Sequence, residues 1–228
     1  MKLPQWSAII LALAAWVLVA REPASAQKAH AKASVPAAAQ KAHAKAAPSA
    51  AVDPLAGRSF GSKTAPITIE TFSDFQCPAC RSLYQAVQHK LMDDYVATGK
   101  VYLIHRDFPL PMHAHSREAA QYAVAAARLG KFEKVEEALF NKQDVWEKDG
   151  SIDAVVAAVL TPAEMVKVRK LVKSGQLDAE IESDVSRGKN YAVNQTPTMV
   201  ITSRGQTYPI ASVVTYDLLR NFLDQLLK

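Results

Sequence analysis

Phe75-Gln76-Cys77-Pro78-Ala79-Cys80 is the stretch whose reading decides the fold, and it carries the only two cysteines of the 228-residue chain. Upstream, Pro66-Ile67-Thr68-Ile69-Glu70-Thr71-Phe72 has the composition of a buried strand. Downstream, Leu83, Tyr84, Val87, Leu91 and Tyr95 recur at helical spacing. A Cys-x-x-Cys pair at a strand-to-helix junction is a redox pattern.

The helix sets the chemistry. Cys77 falls at its first turn and Cys80 one turn further on, on the same face, so the two sulfurs can meet. Pro78 suits the first helical position, where a missing N–H costs nothing. Free backbone N–H groups and the positive end of the helix dipole favour a thiolate at Cys77. A thiol of pKa near 8.5 is only about 3% ionised at pH 7, so even one unit of depression multiplies the nucleophile severalfold. Cys80 is in register with Leu83, Tyr84 and Val87 and is expected to be buried. Cys77 is then the exposed partner that attacks or is attacked, and Cys80 resolves the mixed disulfide. Two other uses of the pair are a structural staple and half a metal site. A permanent staple closing so short a loop would contribute only about 2 kcal/mol. Half a zinc site would need two ligands from His89, His105, His113 and His115, which lack the usual spacing.

Outward from the motif, Gly99 is placed as a helix C-cap and Val101-Tyr102-Leu103-Ile104-His105 as a second strand. This β-α-β unit implies a parallel pair with the first strand central. After the loop Phe108-Pro109-Leu110-Pro111, helices are predicted over 116–129, 131–142, 151–160, 162–174 and 177–192. Strands return at Thr198-Met199-Val200-Ile201-Thr202 and Thr207-Tyr208-Pro209-Ile210, joined by a turn at Arg204-Gly205, and Pro209 marks an edge. Tyr216, Leu219, Phe222, Leu223 and Leu226 predict a C-terminal helix. Gln195-Thr196-Pro197-Thr198 precedes the third strand. A cis Thr196–Pro197 bond would leave the Thr196 backbone beside the cysteines, free to pair with a substrate strand; an ordinary trans proline opening a strand is the alternative.

The net charge of +5 is misleading. Residues 1–52 hold six Lys/Arg against one acid, and the remainder holds 21 of each, so no basic footprint for nucleic acid is left. Lys2, the apolar run Ala8 to Ala20, and Ala24-Ser25-Ala26 describe a signal peptide over 1–26, with an uncleaved anchor as the alternative. The body is then exported, periplasmic or otherwise extracytoplasmic, where a thiol pair can be held as a disulfide. Residues 27–52 are Ala-, Lys- and His-rich, with Gln27-Lys28-Ala29-His30-Ala31-Lys32-Ala33 recurring from Gln40. They have the composition of a flexible linker, possessing no material for a core. The folded domain is placed at 53–228, with a helical insertion at about 109–192.

Cys-Pro-x-Cys, a downstream Thr-Pro-Thr, and the order β-α-β, helical block, β-β-α together resemble the DsbA family of thioredoxin-fold thiol–disulfide oxidoreductases. The resemblance covers roughly residues 60–227. It implies an α/β, thioredoxin-like fold with an inserted helical subdomain. It also implies Cys77 as nucleophile, Cys80 as its partner, Pro78 and Ala79 as supporting residues, and Thr196 and Pro197 as the substrate-binding cis-proline loop. Ala79 stands where the best-known oxidases carry histidine, and Gln195 where many relatives have glycine. Glu70, on the same strand face as Thr68 and Phe72, is either a buried acid of raised pKa relaying a proton to Cys80 or a carboxylate paired with a cation. The function implied is a monomeric, exported dithiol oxidase acting on protein thiols, without metal or cofactor. It would be reoxidised by a membrane quinone-linked partner of the DsbB or vitamin K epoxide reductase type. A reductase or isomerase running the same exchange, and a non-enzymatic peptide-binding module with a structural disulfide, are the alternatives.

Overall fold

The computed structural model describes residue 53 and residues 55–228. The signal or anchor read at 1–26 and the linker read at 27–52 lie outside the described residues.

The β-branched and apolar run after Pro66 forms β2 (Ile67–Ser73), which lies at the centre of one sheet. Its neighbours are β3 (Val101–Asp107), parallel, and β4 (Thr198–Ser203), antiparallel. The edges are β5 (Gln206–Ala211), which includes Pro209, and a two-residue strand β1 (Ser59–Phe60) that the sequence did not announce. The sheet order is β1-β3-β2-β4-β5. Arg204 (φ 51°) and Gly205 (φ 76°) make the tight β4–β5 turn, the paired positive φ values that suit a two-residue hairpin.

Helix α1 (78–96) is one continuous rod, but Tyr84–Gln88 and Met92–Val96 are π-helical. The sequence contains the reason. Leu83, Val87, Leu91 and Tyr95 are spaced by exact fours, and an α-helix of 3.6 residues per turn slips by about 40° over each such step. Widening two turns keeps these side chains on one face, against Ile67, Ile69, Leu103 and Ile201 of the sheet. Helix α8 (Tyr216–Leu226) packs Leu219 and Leu223 into the same cluster.

The inserted block contains α2 (Ser116–Ala127), α3 (Phe132–Asn141), α4 (Gln143–Trp146), α5 (Ile152–Ala157), α6 (Pro162–Lys173) and α7 (Asp178–Asn190). The predicted helices each run a few residues long, and the short α4 has no counterpart among them. Thr161 caps α6 with a full capping box to Glu164, and Gly130, Gly150 and Gly175 sit at breaks with positive φ. The alanine-rich α2 lies at the centre of a separate apolar cluster with Leu139, Phe140, Trp146 and Ile181.

On the opposite sheet face from α1, α7 packs close against Phe72 and Phe108. A Cβ added at Gly188 would lie 2.6 Å from Phe108 Cε2 and 3.1 Å from Phe72 Cδ1. Gly188→Ala is expected to destabilise the domain by about 1–3 kcal/mol, the usual cost of overpacking. Urea unfolding should show a lower midpoint with an unchanged slope; an unchanged midpoint would mean that this contact does not set the helix–sheet spacing.

Candidate active site

The sequence folds locally around Asp74. Its Oδ1 accepts from the Gln76 N–H at 2.8 Å, and its backbone carbonyl accepts from the Cys77 N–H at 3.1 Å. This Asx-type turn stops β2 and aims the chain into α1. Asp74 Oδ2 meets the Leu110 N–H at 2.8 Å and His113 Nδ1 at 2.7 Å, which moors the loop after β3 behind the motif. The Asp74 N–H itself points at Cys80 Sγ at 3.4 Å.

Cys77 is the N-cap residue of α1, in extended conformation (φ −78°, ψ 120°), and Pro78 opens the helix. Pro78 is exposed and Ala79 half-buried. The expectation of an exposed Cys77 is corrected: it is only 6% exposed, against 2% for Cys80. The reason is the loop opposite. The Thr196–Pro197 bond is cis, and its Thr196 carbonyl oxygen lies 3.4 Å from Cys77 Sγ. The Thr196 hydroxyl is buried beside the Cys77 sulfur.

Both cysteines are free thiols, and their surroundings drive them apart. The Cys80 thiol donates to the Cys77 sulfur, and with the Thr196 hydroxyl and the N–H groups of Cys80 and Ala79 it draws Cys77 down to about 5 against the opposing effect of burial. Burial above all, with the neighbouring Cys77 sulfur, pushes Cys80 well above the ordinary thiol range. At neutral pH the pair therefore holds one thiolate and one thiol.

One side chain and two backbone groups of the inserted block reach the motif. Gln143, fully buried, donates Nε2 to the carbonyls of Phe75 (2.6 Å) and Cys77 (3.1 Å). Gln76 ties the Glu147 carbonyl (2.9 Å) and the His115 N–H (2.8 Å) to the motif. Asp74 carried a readable signal in its Asx turn, whereas nothing in the sequence marked Gln143.

Glu70 lies elsewhere. The two-residue alternation of β2 puts it on the α7 face, away from the α1 face that carries Ile67 and Ile69. Its carboxylate pairs with Arg106 (2.8 Å) and with Arg187, whose Nη2 is 2.6 Å from Oε1; Tyr191 is bonded to it as well. Burial alone would raise Glu70, but Arg187 and Arg106 more than offset it and hold it below the usual carboxylate range. The expected raised pKa and the relay to Cys80 are thus corrected in favour of the ion-paired alternative. Two of the four candidate zinc histidines are bonded to carboxylates, His113 to Asp74 and His105 to Asp107 and Glu136. Among the described residues no group of three or more His, Cys, Asp or Glu side chains is placed to hold a metal ion.

Comparison with known proteins bears on this geometry. Residues 55–225 match the thioredoxin family. Among curated relatives, the probable disulfide bond formation protein D of Bacillus cereus is 24% identical over 149 residues, covering 63% of this chain and 69% of that protein. The Na(+)/H(+) antiporter NhaA 3 of Salinispora tropica is 29% identical over 154 residues, but the match spans 67% of this chain and only 22% of the antiporter. Among solved structures, Wolbachia pipientis alpha-DsbA1 superposes with a TM-score of 0.64 at 21% identity, covering 74% of this chain and 89% of that one. Oxidised BdbD of Bacillus subtilis gives 0.62 at 21% identity, over 75% and 92%. With its central parallel pair, helical insertion and Cys77-Pro78-Ala79-Cys80 motif, the chain belongs to the thioredoxin family and has a DsbA-like fold.

Proposed function

We propose that this protein is an exported dithiol oxidase that passes a Cys77–Cys80 disulfide to the thiols of other exported proteins. One observation carries it: the Cys77 sulfur sits at the N-terminus of α1 among donors that favour its thiolate, while Cys80 beside it is kept as a thiol. The direction follows from linkage. A depressed Cys77 stabilises the reduced form relative to the disulfide, and a stabilised reduced form makes the disulfide an oxidant. The relatives named for disulfide bond formation support the same direction.

The steps are those of thiol–disulfide exchange. A substrate thiolate attacks Cys77 Sγ, a substrate–Cys77 bond forms, and the Cys77–Cys80 bond breaks. Cys80 leaves with the electron pair and takes up a proton. A second substrate thiolate then attacks the substrate sulfur of the mixed disulfide, and Cys77 departs as a stable thiolate. The substrate loses two electrons and the cysteine pair gains them. The Thr196–Pro197 loop faces the attacked sulfur and offers its backbone to the substrate chain in a strand-like pairing. A membrane quinone-linked enzyme would restore the disulfide. No helix among the described residues is long and apolar enough to cross a membrane.

Ala79 favours a milder second reading. It brings neither charge nor side-chain hydrogen bond to the Cys77 sulfur, so the potential is placed between those of reducing thioredoxins and the strongest oxidases. Equilibration of the protein with glutathione buffers will test this, and a thioredoxin-like value would make it a reductase.

Cys77→Ser is expected to abolish protein-thiol oxidation, and Cys80→Ser to trap mixed disulfides visible on non-reducing gels. Full activity in the first variant would sink the catalytic assignment. The pH dependence has a definite sign. The stability contributed by the depressed Cys77 is complete above the unfolded thiol value near 8.5 and is lost as pH falls toward 5. The difference in Tm, reduced minus oxidised, should therefore shrink steadily from pH 8 to pH 5. A flat difference would show that Cys77 is not depressed.

A further inference from the structure

Cys77 is followed by a proline, which cannot donate from its nitrogen, so the peptide joining Cys77 to α1 has only the Cys77 carbonyl with which to bond. That carbonyl accepts the first helical bond, from the Arg81 N–H at 3.2 Å, and a second from Gln143 Nε2 at 3.1 Å. The same amide nitrogen also donates to the Phe75 carbonyl, at 2.6 Å. Two acceptors facing it decide which way the carboxamide points. One planar group thus grips the chain on both sides of Gln76.

We propose that Gln143 is a positioning residue for the exchange reaction, its carboxamide clamping the Phe75 and Cys77 carbonyls so that the Cys77 sulfur changes partners while its backbone stays in place. The inference rests on the exchange chemistry of Cys77 and Cys80 and holds for either net direction.

The inserted block is shaped to present this side chain. Helix α3 ends and α4 begins at Lys142, whose φ of −114° and ψ of 20° break the helical path. Gln143, the next residue, is fully buried. Trp146, also fully buried, closes the corner: its indole N–H donates to the Leu139 carbonyl at 2.8 Å across the break. Gln76 Nε2 holds the far end of α4 through the Glu147 carbonyl at 2.9 Å. The short helix is therefore bonded to the motif at both ends.

Asp74 supplies the remaining bonds. Its carbonyl takes the Cys77 N–H at 3.1 Å and its carboxylate the Gln76 N–H at 2.8 Å. With its N–H and its carbonyl both held, Cys77 is fixed at φ −78° and ψ 120°, and side-chain rotation is the freedom left to it. This backbone setting aims the N–H groups of Ala79 and Cys80 at the sulfur, where they favour the thiolate. Without the clamp the Cys77–Pro78 peptide would be free to tilt and carry those donors off the sulfur.

The exchange itself is unaltered: a substrate thiolate bonds to Cys77 Sγ as Cys80 leaves with the electron pair, and the reverse closes the disulfide. Gln143 gives and takes neither proton nor electron. A carboxamide does not titrate, so its grip is the same at every pH at which the domain is folded.

Ultraviolet thiolate absorbance of the reduced full chain, titrated with pH, and its rapid-mixing reaction with oxidised glutathione read the clamp. Gln143→Met removes both donated bonds and nearly keeps the volume. It should raise the Cys77 midpoint by about one unit from its value near 5. Attack on glutathione should then slow about fivefold at pH 5 and stay within about twofold at pH 8, where the thiolate is complete in both proteins. A residue needed only for stability would lower the Tm of this variant and leave the midpoint where it is. Trp146→Phe, which loses the bond across the corner, should move the midpoint the same way by a smaller amount, and it decides the matter if Gln143→Met does not fold. An unmoved midpoint in the deciding variant overturns the clamp. A wild-type chain that fails to react with oxidised glutathione would instead overturn the exchange chemistry itself.

Discussion

A buried chain of charges alternating in sign underlies the arrangement of this protein. It runs Arg187–Glu70–Arg106–Asp184–Arg58–Asp107–His105–Glu136, each member in contact with the next. Except for Arg187, which reaches the surface, every member is buried. Isolated charges in such surroundings would be prohibitive, and removing one partner of a buried pair costs roughly 3–5 kcal/mol. The chain therefore holds only if all its segments stay in place. Those segments are the turn before β1, the two central parallel strands, α3 and α7. The interaction that satisfies the charges also locks the inserted helices to the sheet.

That lock matters because the cysteines sit on the seam it holds closed. Cys77, Cys80, Phe75 and Tyr84 pack into the apolar cluster of the inserted helices, whereas the rest of α1 packs on the sheet. Two thiols three residues apart consequently meet opposite surroundings. Cys77 has the N–H groups of a helix start and the Thr196 loop; Cys80 is buried, with one backbone N–H from Asp74 and the Ser73 hydroxyl. The separation of their proton affinities is a property of the seam rather than of the Cys-Pro-Ala-Cys tetrapeptide alone, whose Ala79 contributes little.

Much of this was legible in the sequence because it depends on local rules. The central strand, the helix start at Pro78, the glycine breaks and the proline edge of β5 each follow from one residue type in one place. The role of Glu70 could also have been judged earlier. Alternation along β2 puts Thr71 and Ser73, not Glu70, on the face shared with the cysteine helix, and four-residue spacing of the apolar side chains in α1 foretells its widened turns. Gln143, His105 and Glu136 were not legible. They lie 66, 28 and 59 positions from Cys77 and meet the site only through tertiary packing. A single polar residue in a helix or strand gives no hint of what it faces.

The residues missed share an origin, and that origin changes the view of the insertion. Gln143, Glu136 and the Glu147 carbonyl all belong to 131–147, one side of the helical block, and all converge on the stretch from Phe75 to Cys80. A subdomain added only for bulk or substrate area would have no need to bury a glutamine against the carbonyl of the nucleophile, or a carboxylate against His105 of the strand beside it. Such groups remain buried only when each has a bonding partner, and here the partners are supplied by the motif and the strand beside it. The insertion and the dithiol therefore form one polar unit. Displacing α3 or α4 would uncover the Cys77 carbonyl, orphan His105 and expose Cys80 together, so the redox pair keeps its asymmetry only while the inserted helices stay seated.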